Sequence, residues 1–493
     1  MLYPSKDEFT EFAKKGNLIP VYAEILADFE TPLSAYRKIA NGDHSFLLES
    51  VEGGDKLARY SFLGSSPSVI FSSKGDKITI REGKVAKTLT SKDPIKELRK
   101  LLLRYRFVNV KGLPRFSGGF VGFFGYDMVR FIENIPDKNP DTLKIPDCVF
   151  MLTDTILIFD HVDHKIKVVS NAHVKSDASA AYDEAAAKIR KLILALKAPV
   201  KKGGAGIPLK RKASPLSIKS NMAQSEFEKI VNKAKGYIKS GDIIQVVLSQ
   251  RLEVPIVSDP FQIYRALRSI NPSPYMYYLS LGGFHLVGSS PEIMVRCEDG
   301  NVELRPIAGT RPRGSTEEED KRLEAELLKD PKERAEHIML VDLGRNDVGK
   351  VCDYNSVSVK ELMVVEKYSH VMHIVSDVSG KLKKGKDAFD VIRATLPAGT
   401  VTGAPKVRAM EIIDELENVR RSTYAGSVGY FSFSGNLDTC ITIRTILVKD
   451  KRAYIQAGAG IVADSVPDKE YKETMNKARA LLRAIEMSEA GLE

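Results

Sequence analysis

The chain has 493 residues, 43% of them hydrophobic and 28% charged, which suits a soluble globular protein of two or more domains or one large α/β body. The net charge of +10 favours acidic partners such as small anionic metabolites, but the bases are spread along the chain, which argues against nucleic acid. Four separated cysteines without a CxxC pair argue against a zinc site or a disulfide framework; with no signal-peptide core and no apolar run of membrane-span length, a cytoplasmic protein and no membrane contact are expected.

The first half reads as strands. Residues 45–50 form a short apolar run between turn residues, and 60–71 form another. Residues 77–81 and 84–89 flank Glu82-Gly83 as a hairpin. Asp93-Pro94 opens a helix that runs to about Tyr105. Glycines interrupt the apolar run FSGGFVGFFGYDMVRF, where a bulge or a close backbone approach is expected. Residues 148–160 pair with 165–170, and 178–196 form an alanine-rich helix. The stretch KKGGAGIPLKRKASPLS, residues 201–217, has the composition of a linker, so domains are expected at 1–200 and 218–493.

The second half alternates. Ser225 and Glu228 are spaced as a capping box for a helix ending near Gly241. A strand follows at 243–252, a helix at 260–269, and strands at 275–281, 284–289 and 293–296. The stretch DPKERAEHIMLVDLGRND starts a helix at Asp330, with Glu333 placed to complete a cap and Ala335, Ile338, Met339 and Val341 as its apolar face. Strands at 357–364 and 371–378, helices at 388–396 and 404–417, and strands at 425–432, 440–448 and 452–457 lead into a last helix. No short-period repeat is visible. Runs of neighbouring strands with grouped helices favour an α+β fold.

Several stretches carry possible chemistry. Glu333 and Glu336 share a helix surface, and the last helix aligns Glu470, Glu473 and Lys477 at offsets of three and four. Two such helices could clamp a hard cation such as magnesium, although the same spacing also suits solvated ion pairs. Glycine-rich turns are expected at Gly309-Thr310, Gly399-Thr400 and Gly458-Ala459-Gly460, where exposed amides can meet carboxylates or phosphates. Arg444 falls inside the apparent strand CITIRTILV and needs a carboxylate partner, from a ligand or from the protein. His373 lies between apolar residues, as core histidines do. Glu292 also abuts apolar residues, which raises a carboxyl pKa and suits a general acid.

The stretches PIAGTRPRG, ERAEHIMLVDLGRND, VMHIVS, LPAGTVTGAPK, ITIRT and AGAGIV occur in the order seen in the chorismate-utilising enzymes. Within that family the chain resembles the anthranilate synthase component I sequences along essentially its whole length. The resemblance implies an α/β/β/α fold with two antiparallel sheets packed face to face. It implies magnesium held by Glu336 and Glu473, with Glu333 and Glu470 supporting its water. The substrate carboxylates would meet Gly309, Thr310, Tyr424, Arg444, Gly458, Ala459, Gly460 and Lys477, and His373 and Thr400 would line the ring site. Ammonia would add to chorismate at C2 as the C4 hydroxyl leaves, with Glu292 as acid and His373 assisting loss of the C2 proton and pyruvate.

Two residues separate the relatives. Water-using members of the family typically carry a lysine base where this chain has Gln245, in IIQVVLSQ. Aminodeoxychorismate synthases, the alternative reading, typically carry a nucleophilic lysine where PIAGT has Ala308. Both substitutions point to anthranilate synthesis. No cysteine lies in a glycine-flanked elbow, so a separate glutamine amidotransferase subunit is implied as the ammonia source. LLES at 47–50 and NPSPYMYY at 271–278 match the family's tryptophan site, which would place Glu49, Ser50, Pro274, Tyr275 and Met276 around L-tryptophan as a feedback inhibitor, with Glu49 meeting its ammonium group.

Overall fold

The computed structural model describes residues 1–50, 59–200, 215–368 and 371–492. Two 12-stranded antiparallel sheets hold all the strands among them. The first runs in the order Leu18–Leu26, Lys165–His173, Thr155–Asp160, Tyr60–Ser65, His44–Glu49, Tyr275–Leu281, Phe284–Ser290, Thr445–Lys449, Arg452–Ile461, Gln245–Pro255. The second runs Ile307–Pro312, Val371–Lys381, Asn301–Leu304, Ile293–Glu298, Leu437–Ile441, Ser427–Ser432, Gly119–Phe124, Cys148–Thr153, Val69–Lys74, Lys77–Glu82, Val85–Thr90.

The sheets face each other across a common core. Phe46, Tyr277 and Leu279 of the first interdigitate with Phe123, Val149 and Met151 of the second. The neighbouring strand position Leu47 points the other way, onto a core shared with Pro32–Ile39, Ala178–Lys197, Pro260–Ile270 and Pro467–Ala490. Pro94–Leu102, Pro331–Val351 and Ala388–Thr395 cover the outer face of the second sheet. Each large apolar side chain buried in these layers contributes roughly 1.5–3 kcal/mol. The α+β, α/β/β/α expectation is met.

Both sheets take strands from either side of 201–217. His44–Glu49 pairs with Tyr275–Leu281, and Gly119–Phe124 pairs with Ser427–Ser432. The two regions expected as domains are therefore hydrogen-bonded into common sheets. Residues 201–214 of the expected linker lie outside the described residues.

The chain repeatedly steps from one sheet to the other. The run 60–71 is two strands, Tyr60–Ser65 in the first sheet and Val69–Lys74 in the second, with Ser66 at φ 53 between them. The run 148–160 divides at Asp154 in the same way, and the run 440–448 divides at 442–444, where Arg444 has φ 50. A fourth step lies between Phe284–Ser290 and Ile293–Glu298. The sequence hides these junctions because the strands on either side are buried on both faces. Cys148–Thr153 has no exposed position at all, so no alternation marks its end.

Smaller differences have local causes. The helix Gln224–Lys239 begins before Ser225, and its capping contact runs from Ala223 N–H to Glu226 Oε2 at 2.7 Å. Helix Glu317–Lys329, capped by Thr316, precedes the one at Asp330 and was not expected.

A candidate active site between two helices and two sheet crossings

The helix Pro331–Val351 starts where expected. Asp330 Oδ1 accepts from the N–H groups of Lys332 and Glu333 at 2.9 and 3.2 Å, and Pro331 occupies the first turn. Its buried face differs from the expected one. His337, Leu340, Val341, Gly344, Val348 and Val351 face inward, whereas Ile338 stays 42% exposed. His337 is consequently turned away from Glu333 and Glu336, with Nε2 2.6 Å from Ser376 Oγ. The Glu333 side chain does not close the cap and instead accepts from Arg311 Nη1 at 3.3 Å.

The helix Pro467–Ala490 buries Thr474, Ala478, Leu481, Ala484 and Ile485 at helical spacing. Glu470, Glu473 and Lys477 thereby face a cavity of about 600 Å³. Glu333 and Glu336 line the same cavity from the other helix.

Sheet crossings supply the centre. The step at 291–292 delivers Glu292, which is 7% exposed, and burial raises its pKa to about 8. The step at 442–444 delivers Arg444, which sits between two strands and not inside one. Its Nη1 donates to the Lys477 carbonyl at 2.6 Å. Lys477 Nζ is held by Glu473 Oε1 at 2.7 Å and donates to the Gly458 carbonyl at 2.9 Å.

Two glycine stretches are not turns. Gly458, Ala459 and Gly460 lie within Arg452–Ile461, paired on one side with Ser249, Leu248 and Val247. On its other side this strand pairs with Thr445–Lys449 only as far as Ile455. Gln456–Ile461 therefore has one open edge, which presents backbone polar groups without needing a turn. A side chain at Gly458 would place Cβ 2.7 Å from Tyr424 Oη, and one at Gly460 would collide with Gln245 Nε2. Ala459 is fully buried and points away from the cavity. Gly309 forms a bulge at φ +68 in Ile307–Pro312, between Ala308 opposite Ile374 and Thr310 opposite His373.

His373 has Nδ1 2.9 Å from the Gly309 carbonyl and 3.1 Å from Thr310 Oγ1. A carbonyl only accepts, so Nδ1 carries the proton and Nε2 a lone pair. Burial lowers the pKa of the ring, which favours this neutral form. Gln245 donates from Nε2 to Glu336 Oε1 at 2.9 Å, and its own Oε1 is buried without a partner. Thr400 Oγ1 is likewise buried and unpartnered at the cavity wall, and Tyr424 completes the wall. All the residues expected at the active site line this one cavity except Ala459.

Within each helix the neighbouring glutamates repel. Glu333 is raised by burial and by the charge of Glu336, and Glu470 by burial and by Glu473. Among the described residues no three acidic, histidine or cysteine side chains converge as a closed metal cage. Two carboxylate pairs on one cavity, partly open, fit a magnesium ion that keeps water and takes further oxygens from a ligand. Arg311 was missed from the sequence. It joins Glu333 to Glu326 and Asp330, and only a three-dimensional neighbourhood reveals it.

A second cavity, of about 450 Å³, is lined by Ser50, Pro274 and Tyr275 together with Arg296, Tyr430 and Asp438. Ser50 Oγ is buried there without a partner. Glu49 and Met276, opposite each other in register, also line this cavity, and Met276 packs into the core on the helix side of the sheet. The Glu49 carboxylate accepts from Tyr264 Oη at 2.5 Å and from Arg268 at 3.0 and 3.2 Å.

The chorismate binding enzyme family matches residues 43–483. The anthranilate synthase component 1 of Acetivibrio thermocellus is 51% identical over 494 residues, spanning 100% of this chain and 99% of that protein. That of Aquifex aeolicus is 50% identical over 491 residues, spanning 99% of each. The crystal structure of anthranilate synthase component I from Streptococcus pneumoniae superposes with a TM-score of 0.76 at 38% identity, over 93% of this chain and 99% of that one. The menaquinone-specific isochorismate synthase of Escherichia coli shares the fold, with a TM-score of 0.70 at 18% identity over 97% of this chain and 98% of that one.

Proposed function

From its membership of the chorismate binding enzymes, to which this chain belongs, we propose that it is the large subunit of an anthranilate synthase, converting chorismate and ammonia to anthranilate and pyruvate. The observation that carries the reading is the cavity itself. It joins two cations, an open strand edge, four carboxylates and a buried protonated acid around a space that fits a small dianion.

Arg444 and Lys477 take the substrate carboxylates, together with the open edge at Gly458 and Gly460. Magnesium bound near Glu336 and Glu473 would neutralise carboxylate charge and help fix the substrate. Ammonia brings its own lone pair to C2, so no base is needed at Gln245. As the N–C2 bond forms, the C4–O bond breaks, and Glu292 donates the proton with which the hydroxyl leaves as water. Glu292 is protonated at neutral pH because burial holds its pKa near 8. His373 then accepts the C2 proton at Nε2, the C3–O bond breaks, and the side chain departs from an aromatic ring as the enolate, which takes up a proton at its methylene carbon to give pyruvate. Ala308 cannot form the covalent intermediate available to a lysine, which argues against aminodeoxychorismate synthesis.

The name component 1 carried by the relatives implies a second component, and the thiols support a separate glutaminase. All four cysteines are buried, and burial pushes Cys297 and Cys352 to about 11 and Cys148 to about 12. None is a reactive thiolate. The second cavity is proposed to take tryptophan as inhibitor, with its ammonium group near Ser50 and its indole against Pro274 and Tyr275. No helix among the described residues is long and apolar enough to cross a membrane.

The test incubates the purified chain with chorismate, magnesium and ammonium at mildly alkaline pH and follows anthranilate fluorescence. Anthranilate and pyruvate should appear in equal amounts. Glutamine should replace ammonium only after an amidotransferase subunit is added. Aminodeoxychorismate as the end product, or glutamine-dependent turnover by the chain alone, would sink the reading.

A further inference from the structure

Behind the cavity wall lies a buried ion pair, Arg421 and Glu417, that does not itself line the cavity. Arg421 and Glu417 have side chains 1% and 2% exposed, with Arg421 Nη2 2.6 Å from Glu417 Oε1 and Nε 3.0 Å from Oε2. The same guanidinium donates from Nη1 to the Val401 carbonyl at 2.7 Å and from Nη2 to the Val247 carbonyl at 2.6 Å. Its face lies 5.4 Å from the Tyr424 ring centre and 5.0 Å from that of Tyr126. Glu417 Oε1 also accepts from Ser249 N–H and Oγ at 2.9 and 2.8 Å, and Ser249 Oγ accepts from Gln456 Nε2 at 2.8 Å.

The anchored points are not scattered. Val401 follows Thr400, Val247 lies two residues after Gln245, and Tyr424 stands against Gly458. Each of those segments reaches the cavity from a different element, and the planar fork of one arginine meets all three. We infer that Arg421, fixed by Glu417, is a positioning residue for the reaction: it sets the Thr400, Gln245 and Tyr424 segments relative to one another around the substrate ring. The inference rests on the chorismate reading above.

Stability is a poor account of this pair. Replacing both partners of a buried pair by apolar residues of similar size is often neutral or stabilising, whereas removing one alone is costly. Geometry is the better account, because misplacing a reacting group by about 1 Å costs on the order of a hundredfold in rate. Arg444 and Lys477, which take the carboxylates, are not hung from Arg421. The loss should therefore fall in kcat and spare KM.

The experiment compares wild type, Arg421→Lys and the double variant Arg421→Met/Glu417→Met by thermal unfolding and by ammonium-dependent turnover. Arg421→Lys keeps the charge but cannot reach both carbonyls, and the double variant leaves no buried charge. Both should unfold cooperatively, with kcat down on the order of a hundredfold and KM for chorismate within about threefold of wild type. A folded double variant with wild-type kcat would overturn the inference. So would failure of both variants to fold, which would make the pair a determinant of the fold and not of the site. Absence of turnover in the wild type would instead count against the chorismate reading itself.

Discussion

Glu292→Gln should make the protein more stable and nearly inactive. The carboxyl has an ordinary pKa of 4.5, which burial raises to about 8 in the folded chain. Between those two values the folded chain holds a proton that the unfolded chain has lost, so stability falls as pH rises across that window. At about 1.4 kcal/mol per pKa unit, the penalty is about 2 kcal/mol at pH 6 and approaches 4 to 5 kcal/mol by pH 9. Glutamine has a similar shape and no charge to bury, so the variant escapes the penalty at every pH. The assay is urea unfolding of both chains at pH 6 and pH 9, and the quantity of interest is the difference between them. That difference should grow by on the order of 2 to 3 kcal/mol across the interval. Meanwhile anthranilate formation should drop by on the order of 10² to 10⁴, the usual contribution of a general acid. In the wild type, kcat should fall as pH rises through about 8, where the acid loses its proton. A stability difference that stays flat with pH, or a glutamine variant with normal turnover, would refute the assignment.

Glu336→Gln and Glu473→Gln should each remove nearly all activity, because a neutral amide is a poorer ligand for a hard cation; magnesium titrated into the free proteins by calorimetry should give heat with wild type and little with either variant. Gln245→Lys should admit water as a competing nucleophile, read as a hydroxylated product by chromatography, and should also disturb the contact that Gln245 now makes with Glu336. Ser50→Phe should fill the second cavity and abolish inhibition by tryptophan without altering kcat, checked by titrating both forms with the amino acid.

The legible part of this molecule was its local order. The hairpin around Gly83, the helix capped by Asp330 and the last helix each carry their own signals, in turn residues, a capping aspartate and spaced carboxylates. What was not legible was which sheet a strand joins. The apolar run around Arg444 reads as one strand because both sheets bury both faces, yet it is two, and the arginine owes its place in the site to the step between them. The open edge at Gly458 was invisible for a related reason, since it depends on where the strand Thr445–Lys449 stops pairing. Glu49 shows the limit of a motif carried over whole. It lines the second cavity beside Ser50, but its carboxylate is already held by Tyr264 and Arg268, which come from a distant helix. Glu417 and Arg421 stand four residues apart, a spacing that hints at a pair, but nothing local shows that the pair reaches Val247 and Val401.

The interleaving of early and late strands bears on how the chain is made. Gly119–Phe124 lies between Cys148–Thr153 and Ser427–Ser432, so half of its backbone pairing comes from a segment that emerges from the ribosome some 300 residues later. At synthesis rates of about 5 to 20 residues per second, that wait is roughly 15 to 60 s. His44–Glu49 waits in the same way for Tyr275–Leu281. Through that interval the nascent chain displays apolar strands with unpaired edges, which invite association with other chains. The two-sheet architecture that brings Glu292 and Arg444 together thus makes completion late and collective, and a chain truncated after residue 200 should be recovered as aggregate.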